Sequence, residues 1–452
     1  MATLPASSSM APSAAREPGW NDAPAELMHY MVHNDWVGPV IVSGSGALVA
    51  DEQGNEYVDL EGGPGVTSVG HCHPDVVAAV REQAGRLLIV PGRYQGRPAM
   101  NLARRLAGYV GNGLEMTFFC NSGAEAAEGA VKLALKYQHG QRREGHTIIS
   151  FQHGYHGRLG FSLALTGLPK MKKGMGMFGL YPGVQFAPAP YCYRCPLGLK
   201  YGSCGIKCAD FIDDMMHTAV QGEAAVMIAE PILGVGGVIV PPDEYWPKLS
   251  AILKKHGVML VMDEVFTGFG RTGKPFAHQG YGVVPDVMAF AKAIGGGVPL
   301  GGFIATREVG GSFKSADHST TYGGKNQLGI AAGHAVLDIL LRERLEDRAA
   351  ERGEQFMSGL RELARQFPMI GDVRGKGLFI GVEIVADAAG RPDAAMARRI
   401  ADEGLREGVL LSPTGASSNI IRITPPLVIT DSQVDRSLRA FHTVLQRLAA
   451  AA

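Results

Sequence analysis

Between about residue 100 and residue 310 the chain keeps returning to short, unbroken apolar runs: Met116–Cys120, Thr147–Phe151, Ala224–Ala229, Val258–Met262, Val287–Ala291 and Gly302–Thr306. Helix-length segments accompany them at Met100–Tyr109, Ala124–Tyr137, Tyr245–His256 and Gln327–Glu343. A strand with one wet face alternates apolar and polar residues, whereas an unbroken run must be covered on both faces. Runs of that kind separated by helices imply a mostly parallel sheet between two helical layers, an α/β fold. At 452 residues the chain exceeds one ordinary core. We place a large α/β domain at 71–330 and a smaller α+β domain at 331–452. The segment 21–70 is expected to join the smaller domain and to carry an antiparallel meander between Pro39 and Asp59. Residues 1–20, rich in Ala, Ser and Pro, read as a flexible tail. A helix from about Asp75 to Leu88 is expected to be capped by Asp75. The charges from Arg342 to Arg348 read as the solvated face of a long helix.

Charge excludes some functions. Forty-three basic residues balance forty-three acidic ones, which leaves no electrostatic footprint for nucleic acid or an anionic membrane. No apolar run reaches the ~18 residues of a membrane-spanning helix. The first twenty residues lack the basic and apolar regions of a secretion signal, so a cytoplasmic location is expected.

The ends of the apolar runs carry the chemistry. The run Val287–Ala291 delivers Lys292 into a loop rich in glycine. A desolvated lysine amine loses its proton more easily and becomes a nucleophile toward carbonyls, able to hold an aldehyde as a Schiff base. Asn121-Ser122-Gly123-Ala124 joins a strand to a helix start, where free N–H groups favour an anion such as phosphate. Glu230 and Asp263 each close an apolar run with a carboxylate, which wants a cationic partner such as a protonated ring nitrogen. In Gly154-Tyr155-His156-Gly157 an aromatic is free to stack on a planar ligand. Arg422, in the apolar Ile421–Ile423 stretch, wants a carboxylate. Singly these are also what a snorkelling lysine, a helix cap, a structural ion pair or a loop aromatic would look like. Together they describe one ligand, pyridoxal 5'-phosphate.

These motifs in this order, with Gly70–Pro74, Thr321–Gly324 and Gly371–Gly377, resemble the class III (ω-amino-acid) aminotransferases, of the aspartate aminotransferase-like fold type I. The resemblance implies transamination by a ping-pong mechanism, from an amine or amino acid donor to a 2-oxo acid acceptor. It implies that Lys292 is the Schiff-base lysine and proton shuttle, and that Asp263 partners the pyridine nitrogen. Tyr155 and Val265 would sandwich the ring, His156 and Glu230 would complete the cofactor site, and Ser122, Gly123 and Ala124 would cup the phosphate. Thr321 would reach the phosphate of a neighbouring subunit in a homodimer, or in a tetramer with the same shared sites. Arg422 would grip the substrate carboxylate, with Glu230 neutralising it when no carboxylate is present. Two departures stand out. Phe266 replaces a glutamine near the cofactor's phenolic oxygen, and Lys325-Asn326 replaces Asn-Pro. The C-terminal half is also similar to dialkylglycine decarboxylase, so decarboxylation-dependent transamination or racemisation is the alternative. Pro64 stands where that enzyme has a glutamine, which favours plain transamination. An insertion at 187–212 holds Cys192, Cys195, Cys204 and Cys208. Their spacing would suit a tetrahedral zinc or an iron–sulfur cluster, but free surface thiols are the preferred reading and no metal ligand is assigned.

Overall fold

The computed structural model describes residues 38–141, 143 and 145–451; the expected tail and the first part of the N-terminal segment lie outside the described residues. Fifteen strands occur among them. Those of the N-terminal region are β1 (Ile41–Ser45), β2 (Leu48–Asp51) and β3 (Glu56–Asp59). The middle of the chain holds β4 (Met116–Cys120), β5 (Thr147–Phe151), β6 (Val184–Ala187), β7 (Ala224–Ala229), β8 (Met259–Asp263), β9 (Val287–Phe290) and β10 (Gly301–Ala305). The C-terminal strands are β11 (Ile370–Lys376), β12 (Phe379–Ile384), β13 (Val409–Leu410), β14 (Ser412–Thr414) and β15 (Ile420–Ile423).

The central sheet has the order β4-β10-β9-β8-β7-β5-β6. From β9 to β6 all neighbours are parallel, whereas β10 runs antiparallel to both β9 and β4. The unbroken apolar runs are covered on both faces, as their composition requires. Val226, Ile228 and Val261 pack with Ala126, Ala127, Ala130 and Val131 of the helix Gly123–Gly140. The alternate residues Met227, Leu260 and Met262 pack with Tyr245, Trp246 and Leu249 of the helix Tyr245–His256 on the other side. Each such side chain removed from water contributes about 1.5–3 kcal/mol, which holds the strand ends, and hence the chemistry at them, in a fixed plane.

Two smaller sheets flank this layer structure. Strands β1-β2-β3-β13 form one, in which β13 lies parallel to β3 and so links residues 58–59 to 409–410. Strands β11-β12-β15-β14 form the other, antiparallel throughout.

Local detail departs from the sequence expectations in three places. The helix begins at Pro74 and its cap is His73, whose Nδ1 accepts from Asp75 N at 3.2 Å. Proline at the first helical position pulls the start one residue forward, and Asp75 instead pairs with Arg342 at 2.8 Å. The edge strand β6 was not anticipated, because Val-Gln-Phe-Ala is half buried and lacks an unbroken apolar run. Near the charged stretch, Arg344 takes a left-handed conformation (φ 49°), which ends one helix and starts the amphipathic Leu345–Gln366.

Candidate active site

The carboxyl ends of β7 and β8, the turn after β9 and the helix start at Gly123 converge on a cavity of about 450 Å³. That size suits a small organic ligand. The edge of the sheet puts it there: in open α/β folds the strand ends leave a crevice that no helix fills.

Lys292 stands one residue beyond the end of β9, after Ala291, in a left-handed conformation (φ 50°) that is unusual outside glycine. Its Nζ lies 3.7 Å from the centroid of the Phe266 ring and makes no ion pair among the described residues. Enclosure by the protein pulls the amine down from 10.5 to about 7, opposed by Asp263 and Glu230 and assisted by Arg422 and Arg271. A large fraction is therefore uncharged near neutrality, the state that attacks carbonyls.

Asp263 is the last residue of β8 and is 4% exposed. His156 Nδ1 donates to its Oδ2 at 2.7 Å and Val265 N donates to its Oδ1 at 3.0 Å. The acid is thereby oriented without losing access to the cavity that both residues line. His156 is fully buried and its Nε2 has no hydrogen-bond partner.

At the helix start, Ser122 Oγ accepts from Glu125 N at 3.3 Å, and Glu125 answers by accepting from Asn121 N at 2.9 Å. That clasp fixes the first turn of an 18-residue helix, whose dipole and free N–H groups face the cavity. The cradle is built without side chains. A Cβ on Gly123 would lie 2.6 Å from Val265 Cγ1, and one on Gly157 (φ 128°) 2.6 Å from Ala124 Cβ. A lysine amine for an aldehyde, an oriented carboxylate for a ring nitrogen and an anion-binding helix start surround one space. These residues fit pyridoxal 5'-phosphate.

Other expected residues lie differently. Glu230 is buried, and its two oxygens accept from Tyr155 N (2.9 Å) and Gly234 N (2.8 Å). Burial raises its carboxyl to about 7, and the His156 charge and both backbone donors do not overcome that. Arg422 lies on β15, 7% exposed, with its guanidinium carbon 5.1 Å from the Phe266 ring centroid. Phe266 thus stands beside both cations. Its ring is stacked on Phe379 at 4.7 Å and passes so close to Gly65 and Gly234 that side chains there would collide with it. Thr321 is exposed and does not line the cavity within its own chain.

The four cysteines of the insertion are free and surround a small cavity of about 20 Å³. No three of their sulfurs lie within 4.8 Å of one another. The insertion is held by Tyr191 and Arg194, which both hydrogen-bond the fully buried Glu383. Elsewhere Asp213, His217 and His256 bring ligand atoms within 4.8 Å of one another, yet Lys255 (2.9 Å) and His256 (2.5 Å) already pair with Asp213.

Sequence reasoning passed over Val66, Arg158, Val235 and the Glu125 clasp, none of which closes an unbroken apolar run.

The sequence profile of the family described as aminotransferase class-III matches residues 31–445. The acetylornithine aminotransferase of Methanothermobacter thermautotrophicus is 38% identical over 91% of this chain and 95% of its own length. A probable 4-aminobutyrate aminotransferase of Bacillus subtilis is also 38% identical, over 88% of this chain and 90% of its own. Among solved structures, a PLP-bound amine transaminase from an uncultivated Pseudomonas species superimposes with a TM-score of 0.86. It is 31% identical, with 96% of this chain and 99% of that one covered.

Proposed function

This chain belongs to the class III aminotransferases, and from that premise we propose how its residues divide the work and what they act on. The protein is a transaminase that uses pyridoxal 5'-phosphate. When bound, the cofactor supplies an electron sink that makes a substrate Cα proton removable. We assign Lys292 as its covalent anchor and as the base that takes the Cα proton, since an amine near 7 is matched to proton transfer at neutral pH. Asp263, aimed by His156, would keep the ring nitrogen protonated, and Ser122, Gly123 and Ala124 would hold the phosphate. Tyr155 and Val265 would flank the ring.

Arg422 takes the carboxylate of the 2-oxo acid acceptor. It is buried, its Nε has no hydrogen-bond partner, and no carboxylate pairs with it among the described residues. A buried cation left without a counter-ion is costly, which supports an anionic substrate group there. The donor is an amine or an amino acid, and the two substrates use the same cavity in turn. The enzyme works as a homodimer in the cytoplasm, Thr321 completing the partner's phosphate site. The exposure of Tyr94, Met100 and Tyr322 around the groove beside Thr320 supports that assembly.

The convergence of Lys292, the His156–Asp263 pair and the Ser122 helix start on one cavity carries this reading. The test is spectroscopic. Purified protein should be yellow, bleach when an amino donor is added alone, and regain colour with a 2-oxo acid. Steady-state plots should give the parallel lines of a ping-pong mechanism. Intersecting lines, or no bleaching with any donor, would reject it.

A further inference from the structure

The amine of Lys292 makes no hydrogen bond or ion pair among the described residues; what it meets is the ring of Phe266, its Nζ 3.7 Å from the centroid. The Arg422 guanidinium carbon lies 5.1 Å from the same centroid, so two buried groups of like charge share one aromatic side chain. The face of a benzene ring carries negative potential and attracts a cation within about 6 Å. That attraction is spread over the ring, and the N–H donors of the cation stay available to an incoming oxygen. A glutamine in this place would offer an amide oxygen that ties a donor up.

The ring has little freedom to move. It is 6% exposed and lines the cavity, and the fully buried Phe379 stacks on it at 4.7 Å with 24° between the planes. A Cβ on Gly65 (φ 72°) would lie 2.5 Å from Phe266 Cε1, and one on Gly234 3.1 Å from its Cδ2. The turn that carries Phe266 is anchored as firmly. Glu264, with no exposure, accepts from Ala277 N at 3.1 Å and His278 N at 2.7 Å, and its own carbonyl accepts from Gly268 N at 3.0 Å.

Burial drives the proton off the Lys292 amine, assisted by the charges of Arg422 and Arg271, while Asp263 and Glu230 hold it on. The ring face acts with the two carboxylates, and being neutral it forms no ion pair that would block the amine.

We propose that Phe266 is the positioning residue of Lys292: its ring face holds the amine at the cavity wall, against the repulsion of Arg422, and leaves its N–H donors free for the reaction. The proposal rests on reading Lys292 as the anchor of the cofactor.

The test changes the charge distribution of the ring and nearly keeps its shape. Mono-, di- and trifluorinated phenylalanines are installed in place of Phe266 in the full-length protein by nonsense suppression. Reductive methylation of Lys292 in the cofactor-free protein, followed by mass spectrometry across pH, gives the midpoint at which the amine loses its proton. Fluorine draws electron density from the ring face, so the midpoint should fall stepwise from its native position near 7, by about half a pH unit over the series. Phe266→Leu, which has no ring face, should lie beyond the end of the series. A merely structural role would not follow the electron density of the ring. A midpoint that stays level or rises along the series, or that Phe266→Leu leaves unmoved, would overturn the role of Phe266. Lys292→Ala is the control. If it keeps a borohydride-reducible adduct with the cofactor, the reading of Lys292 itself fails, a result distinct from failure of Phe266 alone.

Discussion

At the scale of single residues, the site works by placing ionisable groups where their ordinary charge states are expensive. Lys292 is drawn down to about 7 and Glu230 pushed up to about 7, in both cases chiefly by burial. Lys292→Ala should abolish the borohydride-reducible adduct seen by mass spectrometry and cut turnover at least ~10²–10⁴-fold, the usual worth of a positioned acid–base group. The two groups also give opposite signs to the dependence of stability on pH. Between about 7 and 10.5 the unfolded chain binds a proton at Lys292 that the folded protein does not, so this group's contribution rises with pH across that window. Between 4.5 and about 7 the folded protein keeps a proton on Glu230 that the unfolded chain has lost, so that contribution falls as pH climbs. Melting curves of cofactor-free protein should therefore show stability declining from pH 5 to 7 less steeply in Glu230→Gln than in the native protein. Lys292, Asp263 and Ser122 were legible in the sequence because each ends an apolar run beside glycine or a helix start. The partners of these residues were not. His156 lies 107 positions from Asp263, and nothing in the local sequence of either specifies their 2.7 Å contact.

At the scale of elements, the cofactor cradle is a helix start, a turn and a strand end pressed closer together than side chains permit. Gly123→Ala would set a Cβ against Val265, whose branched side chain has little freedom to move aside. Equilibrium dialysis should find cofactor affinity weakened by about tenfold, or 1.4 kcal/mol, with the fold intact. The strand and helix pattern was legible because two-sided burial writes itself as unbroken apolar runs. Strand direction was not: Gly301–Ala305 reads like its neighbours but runs antiparallel to them. Apolar content records how many faces are covered, whereas direction depends on the path taken by the Lys292–Leu300 loop.

At the scale of the whole molecule, regions far apart in sequence are tied to the site through buried charge. Glu383, with no exposure, accepts from Tyr191, Arg194 and Arg374, and Arg374 in turn donates to Gly237 O (2.6 Å) and Val238 O (2.8 Å). That loop includes the cavity-lining Val235. Glu383→Gln leaves Arg194 unanswered and Arg374 with Asp372 alone (2.7 Å), and should cost about 3 kcal/mol in urea denaturation, with substrate KM raised through the Val235 loop. The proposed homodimer makes a separate prediction. Sedimentation should give two chains per particle, and Thr321→Ala should loosen the cofactor without changing the melting of the cofactor-free protein.

The sequence by itself determined the layered α/β architecture and the cofactor, because burial and chemistry act on short stretches of chain. Only the tertiary structure decided which partners each carboxylate meets. Glu230 and Asp263 look alike as acids closing unbroken apolar runs. Folding brings the backbone donors Tyr155 N and Gly234 N to the first, and the His156 ring and Val265 N to the second. A carboxylate's availability depends on what surrounds it in space, and that is fixed only when distant segments meet.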